Sequence, residues 1–445
     1  MKKNMIQTNK TEPRILAGFM ELLPAQQLAL NRFLDIIRET YEEFGFAPLD
    51  TPMIEISEVL LAKIGEDTKK EIYRFKKGDD DLSLRFDLTV PLARFVAMNA
   101  QSLTFPFRRY QVGKVFRGEK PQKGRFREFY QCDIDIIGNG ELSLVNDAEI
   151  PAVIYSLFNK LNIGDFVIRI NNRKILNGLV ESLGSADKAD EVLRVVDKLE
   201  KLGQETIRKE LTDIGLTAGN ADQVIEFVKI FGSNEEILRK LTEMKIVCET
   251  FNIGIAELET VVRMAKEFGV PEKNLQIDLS IARGLSYYTG TVYETILADD
   301  RIKGSVCGGG RYDNLAESYT DTSYPGVGIS IGMTRLFSQL MAADAINIET
   351  STPAKVLVAT LDEDLTYALE VAARFRKSGV ATEVYTEVDK FKKKLIYANK
   401  IGVPYVAIIG ADEIQARKVS LKNMKSGEQV TISIDEASDL IQKNG

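Results

Sequence analysis

The stretch FRGEKPQKGRFREFYQCDIDIIG, residues 116–138, places a loop that contains proline and glycine between two strand-like runs. Guanidinium groups bind phosphate and carboxylate oxygens through paired hydrogen bonds, so Arg117 on the outgoing strand is a candidate to hold an α-phosphate. Further candidates for nucleotide or RNA phosphates lie on the loop: Lys123, Arg125 and Arg127. A solvated charged hairpin is the alternative interpretation.

The second strand of this hairpin carries carboxylates where apolar residues are expected. Asp133 and Asp135 alternate with Cys132, Ile134 and Ile136, and alternate side chains of a strand point to opposite faces. Carboxylates that point into a cleft need a cationic partner. The pattern therefore indicates either a polar site or an edge strand with a wet face.

Three later segments have features of a ligand site. RGLSYYTGTVYE, residues 283–294, has an arginine and a glycine followed by two tyrosines and a Thr-Gly turn. VCGGGRYDNL, residues 306–315, has three consecutive glycines, which let the backbone approach a ligand closely. GVGISIGMTR, residues 326–335, puts Arg335 where it can lie over an adenine ring or reach a γ-phosphate. Taken singly, these segments also fit an aromatic core hairpin or a tight turn.

Hydrophobic periodicity predicts a sheet-forming region that closes around a helical insertion. Residues 25–44 have apolar positions at the spacing of an amphipathic helix, and strand-like runs follow them. The last region alternates strands and helices, which indicates a small α/β domain. The expected boundaries are 1–172 and 269–343 for the two parts of the core, 173–268 for the helical insertion, 344–353 for a linker and 354–445 for the last domain.

The composition narrows the class of protein. The chain has 445 residues, of which 44% are hydrophobic and 28% charged, and it has no apolar run long enough to cross a bilayer. Its first residues lack the apolar stretch of a secretory signal. The three cysteines show no CxxC pairing, so we expect a reducing cytosol, no disulfide framework and no zinc site.

Charge and the absence of histidine constrain the chemistry. The net charge of −7 argues against indiscriminate nucleic-acid binding, although a local basic patch can still bind RNA. The chain contains no histidine, which removes imidazole as a general base or metal ligand. Any chemistry must use arginines, carboxylates, substrate groups or bound cations.

Taken in order, the segments resemble the signatures of class II aminoacyl-tRNA synthetases, and specifically of the histidyl-tRNA synthetase family. Residues 46–52 resemble the dimer-forming first motif, residues 116–130 the second and residues 326–335 the third. RGLSYYTGTVYE and CGGGRYD resemble the two segments peculiar to the histidine enzymes. The resemblance covers nearly the whole chain.

The resemblance implies an α+β catalytic core with an antiparallel sheet flanked by helices, a helical insertion and a C-terminal anticodon-binding α/β domain with a mixed sheet. The implied activity is that of an AMP-forming histidine–tRNA ligase, which activates L-histidine with ATP and transfers it to the 3' end of tRNA(His). Mg²⁺ would accompany the ATP. A cytoplasmic homodimer that does not enter membranes is the implied state.

The resemblance also implies roles for individual residues. Those that match histidine-binding positions are Asp87, Leu88, Thr89, Gln131, Asp135, Tyr287 and Tyr288. Those that match ATP-binding positions are Arg117, Glu119, Arg125 and Arg335, with Arg117 and Arg283 as the catalytic pair. Those expected to contact tRNA are Gln122, Lys123, Arg127, Lys392, Lys393 and Lys394.

Two positions depart from the family pattern. Ser286 stands where the family usually has Asp, and Thr334 precedes Arg335 where a Glu is common. Neither departure removes a residue with a direct chemical role. The main alternative is a non-catalytic paralogue that senses histidine, but such paralogues lack the anticodon domain that the residues from Lys355 onward resemble. A generic nucleotide-binding scaffold is disfavoured by the two tyrosine-bearing segments.

Overall fold

The computed structural model describes residues 11–62, 69–120, 122, 124–281, 287–314, 316–348 and 350–444. Contacts divide the chain into two compact units, a larger one built around Leu34–Ile346 and a smaller one built around Asn347–Gly445.

The larger unit is built on one large sheet. Within the described residues its strands are β1 (Ala47–Pro48), β2 (Ile54–Ile56), β3 (Arg74–Lys77), β4 (Asp80–Leu84), β5 (Phe107–Phe116), β6 (Glu128–Ile137), β7 (Phe166–Asn172), β8 (Leu275–Ile277), β9 (Thr291–Leu297), β10 (Cys307–Tyr312) and β11 (Gly326–Gly332). Eight of these strands form the large sheet in the order β1-β5-β6-β11-β10-β9-β7-β8, and β2, β4 and β3 form a small antiparallel sheet. The large sheet is antiparallel from β5 to β7 and has a parallel pair at each edge. The predicted α+β core is therefore confirmed.

Helices flank this sheet. They are α1 (Pro24–Glu43), α2 (Ser57–Leu60), α3 (Thr89–Asn99), α4 (Val145–Leu161) and, after the helices α5 to α11 that connect β7 to β8, α12 (Met333–Ala342). The helix predicted over residues 25–44 is confirmed as α1, and Gly45 follows it with a positive φ of 75°. Buried Ile37 and Tyr41 of α1 pack into the core, and the Tyr41 hydroxyl donates to the Cys132 carbonyl at 3.0 Å.

A run of helices connects β7 to β8. In the described part of the chain these are α5 (Arg173–Ser182), α6 (Ala189–Val196), α7 (Leu199–Leu202), α8 (Gln204–Asp213), α9 (Ala218–Val228), α10 (Asn234–Glu243) and α11 (Glu249–Glu267). The helices α5 and α11 approach closely through two glycines. A Cβ on Gly178 would lie 2.3 Å from the Phe251 nitrogen, and one on Gly254 would lie 2.8 Å from the Ile175 nitrogen. This close packing explains why glycine occupies positions in helix interiors, where it is otherwise unfavourable.

The smaller unit has its own mixed sheet, as predicted. Its described elements are β12 (Val356–Thr360), α13 (Thr366–Lys377), β13 (Thr382–Val384), α14 (Phe391–Ile401), β14 (Tyr405–Ile409), α15 (Ala411–Ala416), β15 (Lys418–Asn423), β16 (Gln429–Ser433) and α16 (Ile434–Asn444). The sheet order is β13-β12-β14-β15-β16, with parallel pairs between β13, β12 and β14 and antiparallel pairs beyond. Val358, Phe375, Ala407 and Leu421 belong to its core.

Across the described helices of both units, none combines the length and apolar character that a bilayer span requires.

Candidate active site

One face of the large sheet carries a row of polar side chains beside a row of small residues. Gln131, Asp133 and Asp135 alternate along β6, so they share a face. Their direct neighbours on β11 are Gly332, Ser330 and Gly328, respectively. A Cβ on Gly328 would lie 2.3 Å from Asp135 Oδ1. Glycine is therefore required beside the carboxylate, and the small residues leave room above the sheet.

Asp135 is buried and held from two strands. Arg109 on β5 pairs with it directly, with Nη2 at 2.6 Å from Oδ2. The Tyr312 hydroxyl on β10 donates to Oδ1 at 2.7 Å. Burial raises the pKa of the Asp135 carboxyl, while the Arg109 guanidinium and the Tyr312 hydrogen bond oppose that shift. Because β6 lies between β5 and β11, the edge-strand interpretation is excluded.

Asp133 lies one step along the same face and has weaker support. Burial raises the pKa of its carboxyl to about 7, against the opposing effect of Arg109, and the neighbouring charge of Asp135 adds to the rise. Its Oδ1 atom is buried without a hydrogen-bond partner among the described residues. Two carboxylates on one strand face thus compete for one buried guanidinium.

Asp87 brings a third buried carboxylate to this face. It lies just before α3, where its Oδ1 accepts from the Val90 N–H at 3.0 Å. Burial raises the pKa of the Asp87 carboxyl to about 6. Arg109 Nη2 also donates to the Leu88 carbonyl at 3.2 Å, which ties this turn to β5. Thr89 begins the helix.

Two neighbouring tyrosines, Tyr287 and Tyr288, lie beside the buried carboxylates. The rings of Tyr287 and Tyr288 are 4.9 Å apart, and the rings of Tyr287 and Tyr312 are 6.0 Å apart. Tyr288 interacts electrostatically with Asp135 and Asp133. The predicted histidine-binding residues on separate segments of the chain therefore lie together.

A neighbouring cavity of about 590 Å³ is lined mainly by polar groups from the second and third motifs. Predicted residues on its wall are Arg117, Glu119, Gln122, Arg125, Gln131 and Arg335. Gln131 therefore connects the cavity to the carboxylate cluster, and its Nε2 donates to Ser330 Oγ at 2.6 Å.

The arginines of this cavity are oriented by named contacts. Arg117 Nε donates to the Phe86 carbonyl at 3.0 Å, and its guanidinium lies 5.2 Å from the centre of the Phe129 ring. Arg125 forms an ion pair with Glu119. Arg335 Nη2 donates to the Lys303 carbonyl at 3.0 Å.

Other predicted residues lie away from the cavity or cannot be described. Arg127 is not on its wall and donates to the Glu119 carbonyl at 2.9 Å, so it braces the second-motif loop. Lys123 and Arg283 lie outside the described residues, as does Ser286.

The lysine run of α14 is divided between surface and core. Lys392 and Lys393 are exposed, and Lys393 pairs with Asp389 at 2.8 Å. Lys394 is 3% exposed and donates to the Thr360 carbonyl at 3.0 Å. The prediction that Lys394 contacts tRNA is therefore wrong, because its ammonium group is committed to the interior of the domain.

Three residues that hold the carboxylates and Gln131 were not predicted from the sequence: Arg109, Tyr312 and Ser330. Arg109 was detectable in principle, since a buried pair of carboxylates requires a cation and β5 precedes them in the hairpin. The departure at Thr334 also has a structural role, because its hydroxyl accepts from the Tyr130 N–H at 2.8 Å and joins α12 to β6.

Comparison with known proteins agrees with this arrangement. The histidyl-tRNA synthetase family model matches residues 18–336, and the anticodon binding domain model matches residues 355–444. The chain is 54% identical to the histidine–tRNA ligase of Clostridium tetani, across 99% of this chain and 100% of that relative. It is 44% identical to that of Clostridium acetobutylicum, across 96% of this chain and 99% of that relative.

The crystal structure of histidyl-tRNA synthetase from Nostoc sp. PCC 7120 superposes with a TM-score of 0.90 at 42% identity, covering 98% of this chain and 100% of that chain. A large sheet with a polar cleft on one face, followed by an anticodon binding domain, defines the class of aminoacyl-tRNA synthetases. Within that class, the matches over nearly the full length show that the chain belongs to the histidyl-tRNA synthetase family.

Proposed function

We propose that this chain activates L-histidine with ATP to form histidyl-adenylate and then transfers the histidyl group to the 3' end of tRNA(His). The observation that carries the proposal is the pairing of a buried carboxylate cluster around Asp135 with an arginine-lined cavity on the same sheet face. The first suits a small substrate with several N–H donors, and the second suits a triphosphate. Membership of the histidyl-tRNA synthetase family supports the same reaction.

For the activation step we assign ATP to the cavity, with Mg²⁺ accompanying its phosphates. Arg117, Arg125 and Arg335 would bind the phosphates and adenosine, together with Glu119. Arg117 and Arg283 would offset the charge that develops on the α-phosphorus. No general base is needed, because the histidine carboxylate is already ionised. Alignment and charge stabilisation therefore carry the reaction, which fits a chain without histidine.

Histidine is assigned to the carboxylate cluster. The residues in this assignment are Asp87, Leu88, Thr89, Gln131, Asp135, Tyr287 and Tyr288. Asp87 and Gln131 retain buried oxygens without partners among the described residues, so they have acceptor capacity for the substrate's ammonium or ring N–H groups. A site that must hydrogen-bond its substrate rejects isosteres strongly.

The remaining assignments concern RNA and the organisation of the chain. Gln122, Lys123 and Arg127 of the second-motif loop, with exposed Lys392 and Lys393 of α14, are proposed to contact tRNA(His). We assign residues 1–172 and 269–343 to the catalytic core, 173–268 to a helical insertion, 344–353 to a linker and 354–445 to the anticodon-binding domain. We further propose that the protein is a homodimer and acts in the cytoplasm.

The decisive experiment is pyrophosphate exchange with each amino acid in turn, followed by charging of tRNA(His). Exchange that depends on histidine, and charging of that RNA, are expected. A histidine-sensing paralogue would bind histidine without exchange, and a nucleotide-binding scaffold would do neither.

Replacement of Asp135 by Ala tests the substrate assignment. It removes a charged acceptor, so we expect the KM for histidine to rise about 30-fold or more and the KM for ATP to change little. Equal changes in both constants would remove Asp135 from the histidine site.

A further inference from the structure

Arg109 is a completely buried arginine on β5 whose contacts converge on Asp135. Its Nη2 atom serves both the Asp135 carboxylate and the Leu88 carbonyl, while Tyr312 supplies a donor to the other carboxylate oxygen. Both oxygens of Asp135 therefore have a donor from another strand of the sheet, β5 for one and β10 for the other. The orientation of the carboxylate is fixed independently of any ligand.

Stability does not account for this arrangement. A buried ion pair contributes no more than an apolar pair of the same size, because desolvation offsets the attraction. Arg109 also leaves Nε and Nη1 buried without a hydrogen-bond partner among the described residues, which costs further free energy. Asp87 Oδ2, Gln131 Oε1 and Asp133 Oδ1 share this condition. So many unsatisfied polar atoms on one face indicate a ligand site rather than a stabilising core.

The position of Arg109 on β5 decides which carboxylate forms an ion pair with its guanidinium. Asp133 and Asp135 lie on the same face of β6, and burial raises the pKa of both carboxyls. Arg109 opposes the rise at each, but its ion pair is with Asp135, its direct neighbour across β5 and β6. Asp133, without such a contact, has its pKa raised to about 7. The guanidinium thus contacts Asp135 directly, whereas Asp133 keeps a buried oxygen without a partner among the described residues.

We propose that Arg109 is a positioning residue for histidine selectivity: it holds Asp135 ionised and oriented as the acceptor for the substrate's ring N–H. Without the guanidinium, the buried Asp135 carboxyl would take up a proton and would present a donor where an acceptor is needed. This inference rests on the proposed function. It goes beyond that function by requiring Arg109, which acts on the substrate through Asp135 and does not contact it.

The test compares two buried arginines on one sheet. Arg109→Met removes the guanidinium from Asp135. Arg311→Met is the matched control, because Arg311 is also buried and pairs with buried Asp147 at 2.5 Å. Arg311 alternates with Gly310 and Tyr312 on β10, so it points to the opposite face. Both variants and the unaltered protein are assayed by histidine-dependent pyrophosphate exchange at about pH 7 and about pH 8.5.

Arg109→Met is expected to raise the KM for histidine roughly 30-fold or more at the lower pH, with the KM for ATP changed less than about twofold. Raising the pH should recover at least about threefold of the loss relative to the unaltered protein, as Asp135 deprotonates. The charged or titratable groups that face Asp135 or its immediate neighbours are Arg109, Asp133, Tyr312, Tyr288 and Asp87. Arg311→Met is expected to leave the ratio of the two constants unchanged.

Arg109→Lys keeps the positive charge and is expected to raise the KM for histidine only about three- to tenfold. This variant also decides the matter if Arg109→Met does not fold. Equal effects of either Arg109 variant on both substrates, no pH recovery in Arg109→Met, or a lysine variant as impaired as the methionine variant would overturn the inference. Absence of histidine-dependent exchange in the unaltered protein would instead overturn the proposed function.

Discussion

At the scale of single residues, Asp87 shows that a group proposed to bind the substrate can lower the stability of the folded protein. Its carboxyl is buried, one oxygen lacks a partner among the described residues, and burial raises its pKa from 3.8 to about 6. An acid whose pKa is higher in the folded state stabilises that state when protonated. The stabilisation is complete below pH 3.8 and is lost as the pH rises through about 6.

Asp87→Asn should remove this pH dependence. Asn keeps an oxygen for the Val90 N–H but carries no charge to bury. The free energy of unfolding of the variant minus that of the unaltered protein is therefore expected to increase by about 1 to 1.5 kcal/mol when the pH rises from about 5 to about 7.5. Thermal unfolding without ligands measures this gain, and pyrophosphate exchange should show that the KM for histidine rises.

Asp79→Asn is the control, because Asp79 is exposed on the turn before β4. It should follow the unaltered protein at both pH values. If Asp87→Asn behaves in the same way, the burial of Asp87 does not cost free energy in solution.

A residue's role was predictable from the sequence when a local motif defines it, and was not predictable when a partner far along the chain defines it. Asp87, Gln131 and Asp135 were identified from local motifs, and the structure places them together. Arg109 was missed because its partner lies 26 positions along the chain and is reached only through the β5–β6 register. Lys394 was misassigned because a charged run gives no sign of which lysine the domain buries. Burial is a property of packing, and one sequence without a fold does not specify it.

At the scale of elements, the three glycines of β10 have unequal surroundings. Gly308 lines the cavity, and a Cβ there would meet only the Tyr293 carbonyl oxygen at 3.4 Å and the Ser305 hydroxyl at 3.9 Å, which are ordinary contacts. Gly309 points to the other face, where a Cβ would lie 2.0 Å from the Gly328 carbonyl oxygen. The sequence predicted close approach of backbone to ligand along all three glycines. Because successive residues of a strand face opposite sides of the sheet, Gly308 borders the cavity, whereas Gly309 is required for the packing of the sheet.

Gly308→Ala and Gly309→Ala should therefore separate binding from stability. Gly308→Ala is expected to melt within about 2 °C of the unaltered protein, because the chain has room for the methyl group. Its KM for ATP should rise about fivefold or more, since the methyl group enters the cavity. Gly309→Ala should unfold at a clearly lower temperature or fail to fold.

Calorimetry and pyrophosphate exchange on the two variants provide the measurement. Gly219→Ala is the control, because this α9 glycine has nothing within 4 Å of an added Cβ. It should be neutral or slightly stabilising. A Gly308→Ala protein that binds ATP normally would show that the nucleotide does not occupy this part of the cavity.

Element boundaries were predictable where the pattern was apolar and not where buried residues are polar. The first strand of the hairpin begins at Phe107, five residues before the strand-like run that starts at Val112 in the sequence. The apolar pattern that identifies a strand in a sequence is interrupted here by three polar residues, Arg108, Arg109 and Gln111. Each of them forms a polar contact that orients its side chain. The parallel edge pairs, β1 with β5 and β7 with β8, also escaped prediction, because the edge strands β1 and β8 have only two and three residues and carry no recognisable alternation.

At the scale of the whole molecule, charge constrains how RNA can bind. A protein with a net charge of −7 lacks a general attraction to phosphates, so recognition must use local positive surface. Lys392 and Lys393 lie in the first turn of α14, where positive side chains oppose the helix dipole. The dipole therefore explains neither lysine, although Lys393 pairs with Asp389, and the exposure of both side chains leaves them accessible to phosphates.

Reversing both charges, as Lys392→Glu with Lys393→Glu, is expected to weaken binding of tRNA(His). If the two lysines neutralise phosphates, the slope of log affinity against log salt should become shallower by about one for each lysine replaced. Lys394 is left unchanged, because its buried ammonium supports the domain through Thr360. Titration of tRNA at several salt concentrations measures both quantities.

The control is Lys425→Glu with Lys443→Glu, which changes the net charge equally at two other exposed positions of the smaller unit. If the α14 lysines act through local interactions with phosphates, this control should retain most of the affinity and the original salt slope. If both double variants bind equally weakly, the effect belongs to net charge, and the α14 surface does not bind tRNA. Histidine-dependent pyrophosphate exchange should be unchanged in both variants, since the proposed activation site lies on the catalytic sheet.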